Sequence, residues 1–360
     1  MPKTNYFIFL LIGYCLNLHC QNWQALSPFP GTAVDDGLAF SIGDTAYFGS
    51  GLSPWFSAQH QFQAFNLVSE TWQSVQDLPA TKGRQYAVAF ADSQYAFVFG
   101  GYAQNEYLND LWRYNPAIDQ WQEFSPLPDS GRSGASAFLI GDTAYIFGGK
   151  NRYNDALSEV WAYALNSDTW TRKGDLPIGL WRSSATSLRD TGWLVFGIDS
   201  NQYYRNELYS YNPQLDQWTL ISSFPGAGRS HASLLATEQN LVLAFGIDSL
   251  QNYYRDLWQY EPSSDQWLTL KDLPAAGRKG QMAIAHQNKL YFCTGINASN
   301  QRLKELWKFE AQIGLEEVAI RPKPEIIGRY DLQGRSVHRP SKQIIILLYA
   351  DGSHRKLWID

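Results

Sequence analysis

The chain has 360 residues, 44% hydrophobic, 18% charged and 15% aromatic, with 28 Gly and 16 Pro. This profile excludes a disordered tail protein, a collagen-like rod and a disulfide-dense miniprotein. Asp and Glu outnumber Lys and Arg by 34 to 29, a net charge of −5, so the global field favours neither nucleic acid nor an anionic membrane.

The first feature in chain order is Lys3, followed by a mostly apolar run from Phe7 to Leu18. A spanning helix needs about 20 apolar residues. This shorter run is therefore expected to be a secretory signal over residues 1–20, cleaved near Cys20–Gln21. Lipidation of Cys20 fits poorly, because Asn17 and His19 stand where that signal has an aliphatic and a small residue. No later segment is apolar and long enough to span a bilayer. Of the 3 Cys, Cys15 and Cys20 lie in or beside the signal. That leaves Cys293 as a buried hydrophobe in a strand, with no intramolecular disulfide.

Residues 21–313 contain an internal repeat. Trp23, Trp72, Trp121, Trp170, Trp218 and Trp267 are spaced 49, 49, 49, 48 and 49 residues apart. Each precedes a Leu-Pro or Phe-Pro pair, and aromatic strands ending in Gly recur in phase, as in AFVFGG with Gly100 and Gly101 and AYIFGG with Gly148 and Gly149. Each unit reads as four short strands: two continuous apolar runs, then two with period-2 alternation. The last unit has only three strands, while Trp23–Leu26 precedes the first complete unit. An N-terminal strand that completes the last sheet closes a ring and leaves no exposed edge. The expectation is all-β, a six-bladed β-propeller with the repeated Trp residues wedged between blades.

Gly-Gly after an apolar strand, a downstream Tyr or Phe, Trp, Leu-Pro and an Arg four or five residues beyond the Pro resemble the kelch repeat. Units four to six depart from it, with Ile198, Ile247 and Ile296 in place of the second Gly.

The connections from each fourth strand to the next first strand end in Arg84, Arg132, Arg182, Arg229 and Arg278. In unit one, Val34, Asp35 and Asp36 stand there instead. Two roles stay open for these arginines: a collar at one channel mouth that takes an anion through guanidinium forks, or architectural bonding to carbonyls. The loops between second and third strands share that face and supply Tyr102, Arg152, Tyr153, Tyr203, Arg205, Tyr253 and Arg255, a surface suited to a sugar ring or a peptide. Alternatively, the Tyr-Tyr-Arg strings of units four and five reflect duplication and pack on a neighbouring blade. Asp110, Glu159, Glu207, Asp256 and Glu305 occupy one repeated position and are expected to be structural partners. No metal-ligand spacing, nucleophile elbow, phosphate loop or dinucleotide fingerprint is present, so no cofactor and no metal are expected.

From residue 314 the character changes. Pro322 and Pro324 mark a boundary, and short β runs follow around 326–332 and 344–349. The string YDLQGR at Tyr330–Arg335, with the Ile-rich run and the basic finish His354, Arg355 and Lys356, resembles the C-terminal sorting domain of type IX secretion cargo. The resemblance implies export through the Sec pathway and passage to the surface or medium, with the secretion machinery as a partner of the tail. The functional expectation is a secreted, monomeric kelch binding module for a glycan, peptide or protein. The alternative is a cofactor-free sugar isomerase similar to the kelch sialic acid mutarotases. That alternative needs a general acid or base at the mouth, and no single Glu or His stands out from the repeats there.

Overall fold

The computed structural model describes residues 23–310, together with the backbone of three short strands in the tail. The expected signal, its cleavage site and Cys20 lie outside the described residues. Six four-stranded antiparallel sheets follow one another in chain order. Blade 1 is Leu38–Ile42, Thr45–Gly49, Phe62–Asn66 and Thr71–Ser74. Blade 6 is Met282–His286, Lys289–Cys293 and Leu306–Glu310, completed on its outer side by Trp23–Leu26. The closing strand runs antiparallel, with Trp23 opposite Phe309 and Leu26 opposite Leu306. The protein is thus an all-β six-bladed propeller, closed by its N-terminal strand as the strand count requires.

Strand chemistry follows position in the blade. Innermost strands crowd together at the axis, so they carry small residues such as Ala135, Ser136 and Ala137. Second strands are covered on both faces and are apolar along their length, as in Leu241–Ala244, where every residue is buried. The hydrophobic core is divided into six clusters, each spanning two adjacent blades. Cys293 is fully buried in the cluster joining blades 6 and 1.

Polar bonds fix the blades to one another. The indole N–H of Trp72 donates to Ser27 O at 2.9 Å, that of Trp121 to Gln76 O at 3.0 Å, and that of Trp170 to Ser125 O at 2.9 Å. Asp119 accepts both the Tyr114 hydroxyl at 2.6 Å and the Gln76 N–H of the preceding blade at 2.8 Å. Asp168 does the same with Tyr163 and Ser125. The repeated Trp residues therefore form the inter-blade wedge that their period implied.

The tail (residues 313–360) forms a separate unit. Its strands Ile326–Tyr330, Gln343–Tyr349 and His354–Ile359 pair antiparallel in that order. The sequence suggested two β runs; the basic C-terminal stretch is a third strand.

Ring closure sets a testable dependence. Trp23 touches Phe292 and Phe309 at ring separations of 5.7 and 4.9 Å and donates to Lys271 O at 2.9 Å. Trp23→Ala is expected to lower unfolding free energy by about 3 kcal/mol. Urea denaturation followed by tryptophan fluorescence checks this, and an unchanged midpoint would contradict the closure.

Candidate functional site

Four of the five predicted collar arginines are not at the channel mouth. Arg84 is fully buried, and its guanidinium grips Asp110 through two bonds of 2.8 and 2.9 Å while also donating to Gly100 O at 3.0 Å. Arg229 repeats the two-bond grip on Asp256 at 2.7 Å, Arg278 makes a single bond to Glu305 at 2.5 Å, and Arg132 forms an ion pair with Glu159 at 3.4 Å. Each pair ties the entry of a blade's first strand to the entry of its third. Burial pushes the Asp110 carboxyl up, but the Arg84 hydrogen bonds outweigh it and hold it below the usual carboxylate range. The repeated acids are structural partners, and these four arginines are clamps.

Arg182 is a different residue in the repeat. Leu180 N–H donates to Leu157 O as Arg132 N–H does to Leu108 O and Arg278 N–H to Tyr254 O, so Leu180 fills the clamp position of blade 4. Glu207, left without its clamp, is taken by Arg205 from its own loop at 2.5 Å, and Arg205 also reaches Asp199 at 3.4 Å. In blade 1 both halves are missing, with Val34 and Gln61 in the two positions.

Two residues beyond the clamp, each blade contributes one residue to a ring about the axis: Asp36, Tyr86, Gly134, Arg182, His231 and Gly280. Their backbones close a circle of six hydrogen bonds. Asp36 N–H donates to Gly280 O, Gly280 to His231 O, His231 to Arg182 O, Arg182 to Gly134 O, Gly134 to Tyr86 O, and Tyr86 to Asp36 O, over 2.7–3.4 Å. All six have φ between 54° and 62°, the left-handed region that favours glycine. Blades 3 and 6 use Gly. Blades 1, 2, 4 and 5 hold Asp, Tyr, Arg and His there, at a strain of roughly 1–3 kcal/mol for such a residue. The two glycines make room for the others. A Cβ on Gly134 would lie 3.2 Å from the Arg182 side chain, and one on Gly280 would lie 2.5 Å from Asp36 Oδ1.

The four side chains meet in a recess of about 130 Å³. The Arg182 guanidinium lies 4.1 Å from the Trp181 ring centre and 4.3 Å from that of Tyr86, while Lys150 Nζ sits 3.9 Å from the Trp181 ring. Stacking orients the guanidinium, yet it makes no ion pair or side-chain hydrogen bond among the described residues, and its Nε is a buried donor without a partner. His231 Nδ1 bonds Ser230 Oγ at 2.8 Å, and its Nε2 is unpartnered, 3.8 Å from Asp36 Oδ1. The Asp36 and His231 side chains are 5% and 4% exposed. Burial, reinforced by neighbouring Asp35, pushes the Asp36 carboxyl up to about 7 despite the opposing charges of Arg182 and Lys279. Burial first, then Arg182 and Lys279, hold the His231 imidazole well below its usual value, so it is neutral. Asp35 is engaged by Arg302 Nε at 2.5 Å. Arg182 and Lys279 thus stand as cations without an ion-pair partner among the described residues.

Of the predicted loop residues, Tyr253 comes near this recess: its ring lies 5.8 Å from Lys279 Nζ, and burial first, then the charges of Asp35 and Asp36, raises its phenol. The others do not converge. Tyr102 packs on Tyr107 at 5.1 Å in a tight hairpin, and Arg152 bonds its exposed neighbour Tyr153 at 2.6 Å. Tyr203 is exposed at a loop tip, and Arg255 reaches Asp272 at 3.6 Å. The Tyr-Tyr-Arg strings are also one residue out of phase, since Tyr204 and Tyr253 are the bridge-forming equivalents. Asp36, Tyr86 and His231 escaped the sequence reading as site residues, and an acid/base pair does stand out from the repeats. The signal was a position that fails to repeat: Asp, Tyr, Gly, Arg, His, Gly, two places after the clamp.

A profile described as the KLHDC2/KLHL20/DRC7 Kelch-repeats domain matches residues 12–172 and 125–295. An N-acetylneuraminate epimerase of Pasteurella multocida (strain Pm70) is 28% identical over 218 residues, covering 58% of this chain and 52% of the relative. That of Haemophilus influenzae (strain PittEE) is 26% identical over 252 residues, covering 68% and 60%. Mouse Kelch-like protein 35 is 24% identical over 57% of this chain and 33% of its own. The chain thus spans little more than half the length of the epimerases it matches. The solved structure of YjhT superimposes with a TM-score of 0.68 at 18% identity, over 78% of this chain and 95% of that one.

The clamp and ring positions separate by stability. Arg84→Ala leaves Asp110 with only Lys82 at 3.5 Å and the Trp112 indole at 2.8 Å and is expected to cost about 3 kcal/mol, whereas Arg182→Gly is expected to leave the melting temperature unchanged or raised. Calorimetric melting of both variants checks this, and equal losses would contradict the separation. The family profile spans most of the described ring: the chain belongs to the kelch-repeat family.

Proposed function

We propose that the channel mouth binds an acidic sugar and that the protein acts as an exported kelch binding module. The reading is carried by Arg182, a guanidinium held between two aromatic rings with no anionic partner among the described residues. Such a fork suits a carboxylate. Below about pH 7, with Asp36 protonated and Asp35 engaged by Arg302, Lys279 adds to the same field. Tyr86, His231 and Tyr253 provide hydroxyl and imidazole groups for sugar hydroxyls. The two epimerase relatives act on N-acetylneuraminate, a sugar that carries a carboxylate.

Titration of N-acetylneuraminate into the protein is expected to show binding that weakens roughly 10–100-fold in Arg182→Gly, the worth of a charge-assisted hydrogen bond. The pH dependence has a definite sign. Below about 7 the Asp36 carboxyl is neutral; as pH rises through that value it ionises and repels an anionic ligand. Affinity is therefore expected to fall with rising pH, and Asp36→Asn to flatten the profile. Affinity that rises with pH would overturn the assignment.

A second reading has its own observation. Below about pH 7, a protonated carboxyl 3.8 Å from a neutral imidazole is an acid and a base in one recess. In anomer exchange, Asp36 would give its proton to the ring oxygen while His231 Nε2 takes the anomeric hydroxyl proton. The ring C–O bond then opens, and closure on the other face returns both protons. Exchange NMR on the same samples decides between the readings: acceleration at substoichiometric protein makes it an isomerase, and an unchanged rate leaves a binder.

Export rests on Lys3 with the Phe7–Leu18 run and on the tail string Tyr330–Arg335. Removal of residues 314–360 is expected to retain the propeller within the cell envelope. Immunoblots of host-cell fractions check this, and undiminished protein at the surface or in the medium would refute a sorting role for the tail.

A further inference from the structure

Blade 1 carries an exposed aromatic pair that the fold does not use. The loops between second and third strands in blades 1, 3, 4, 5 and 6 share one frame, fixed by the bridges Leu52–Ala58, Lys150–Ala156, Ile198–Tyr204, Ile247–Tyr253 and Ile296–Arg302. One turn position in this frame is left-handed in all five, with φ of 57° to 66°. Asn154, Gln202, Gln251 and Asn300 fill it in four blades, and Phe56 in the first. A bulky ring is disfavoured there, and Phe56 is 79% exposed, with Trp55 before it 78% exposed. Trp55 makes no ring or cation contact among the described residues, whereas the equivalent Tyr153 is held by Arg152.

The pair is continuous with the channel mouth. Arg302 lies 5.3 Å from the Phe56 ring centre while its Nε binds Asp35, the residue preceding Asp36. On the outer side, Trp55 borders a recess of about 510 Å³ that Thr32, Gln61, Gln63 and Lys304 also line, within the ~300–1,000 Å³ of small-molecule sites. An aromatic face stacks on the C–H face of a sugar, and flanking amide and hydroxyl groups supply the paired donors and acceptors that sugar hydroxyls need.

We infer that Trp55 and Phe56 form a platform for an uncharged sugar ring linked to the acidic sugar in the mouth, so that the ligand is an acidic oligosaccharide rather than a free monosaccharide. This rests on the channel-mouth reading. An acidic sugar linked through its own anomeric carbon, as in 3′-sialyllactose, has no free anomeric hydroxyl, so such a ligand opposes anomer exchange as the physiological role.

The test uses the full chain and the double variant Trp55→Ser, Phe56→Asn. These are the residues that blade 6 carries at Ser299 and Asn300, so the fold is retained and the melting temperature is expected to be unchanged or raised. Calorimetric titrations compare N-acetylneuraminate, 3′-sialyllactose and lactose. The wild type is expected to bind the trisaccharide at least ten-fold more tightly than the monosaccharide. The variant is expected to bind both equally, with its monosaccharide affinity unchanged. Equal wild-type affinities, or a preference that survives in the variant, overturn the platform and leave the mouth standing. Lactose binding that the variant loses, with no binding of N-acetylneuraminate, removes the mouth and leaves a neutral-sugar platform. Sedimentation as a dimer that the double variant dissolves assigns the pair to a second copy of this chain and overturns the proposal.

Discussion

Circular closure is the constraint on which the rest depends. Six sheets that each present two apolar faces can bury both only if the last meets the first, and Trp23–Leu26 completes that meeting on the outer side of blade 6. A second closure exists at the axis, where six backbone hydrogen bonds run from blade to blade and return to their start. The outer closure removes an exposed strand edge. The inner one fixes six consecutive blades at a common radius, so side chains more than 190 residues apart, Asp36 and His231, come within 3.8 Å.

The axial ring also explains why function concentrates in so small a volume. Its geometry demands positive φ at every blade, and glycine meets that demand without strain. Where glycine is kept, the vacated space is occupied by a neighbour's side chain: Arg182 at Gly134 and Asp36 at Gly280. Four residues retained in an unfavourable conformation, aimed at one recess, with buried polar atoms left unpartnered, are hard to justify by folding alone. Phe56 poses the same question farther out on the same face.

Electrostatics follow from packing. A guanidinium at the clamp position is enclosed and is matched by the acid opening the third strand; the guanidinium two residues later, Arg182, faces the recess and has no ion-pair partner among the described residues. Blade 4 shows the dependence directly: with Leu180 in the clamp, Glu207 takes Arg205 from its own loop, and the arginine visible in the repeat is free to serve at the axis. Burial then lowers His231, leaving it neutral, and raises Asp36 to about 7, so that its carboxyl changes charge near neutral pH beside two cations.

The spacing of Trp and Leu-Pro, the apolar second strands and the displaced outer strand determined the fold class, the blade count and the mode of closure, because these are set by period and strand order, which a linear sequence carries in full. The repeated acids were legible as structural for the same reason. Of the two roles open to the arginine series, four members take the architectural one; Arg182 stands two residues beyond the clamp position, and only the backbone hydrogen bonds show that Leu180 holds the clamp. The tertiary structure alone decided which side chains meet, because convergence on an axis joins one residue from each of six distant segments, and no local pattern records a distance measured across a ring.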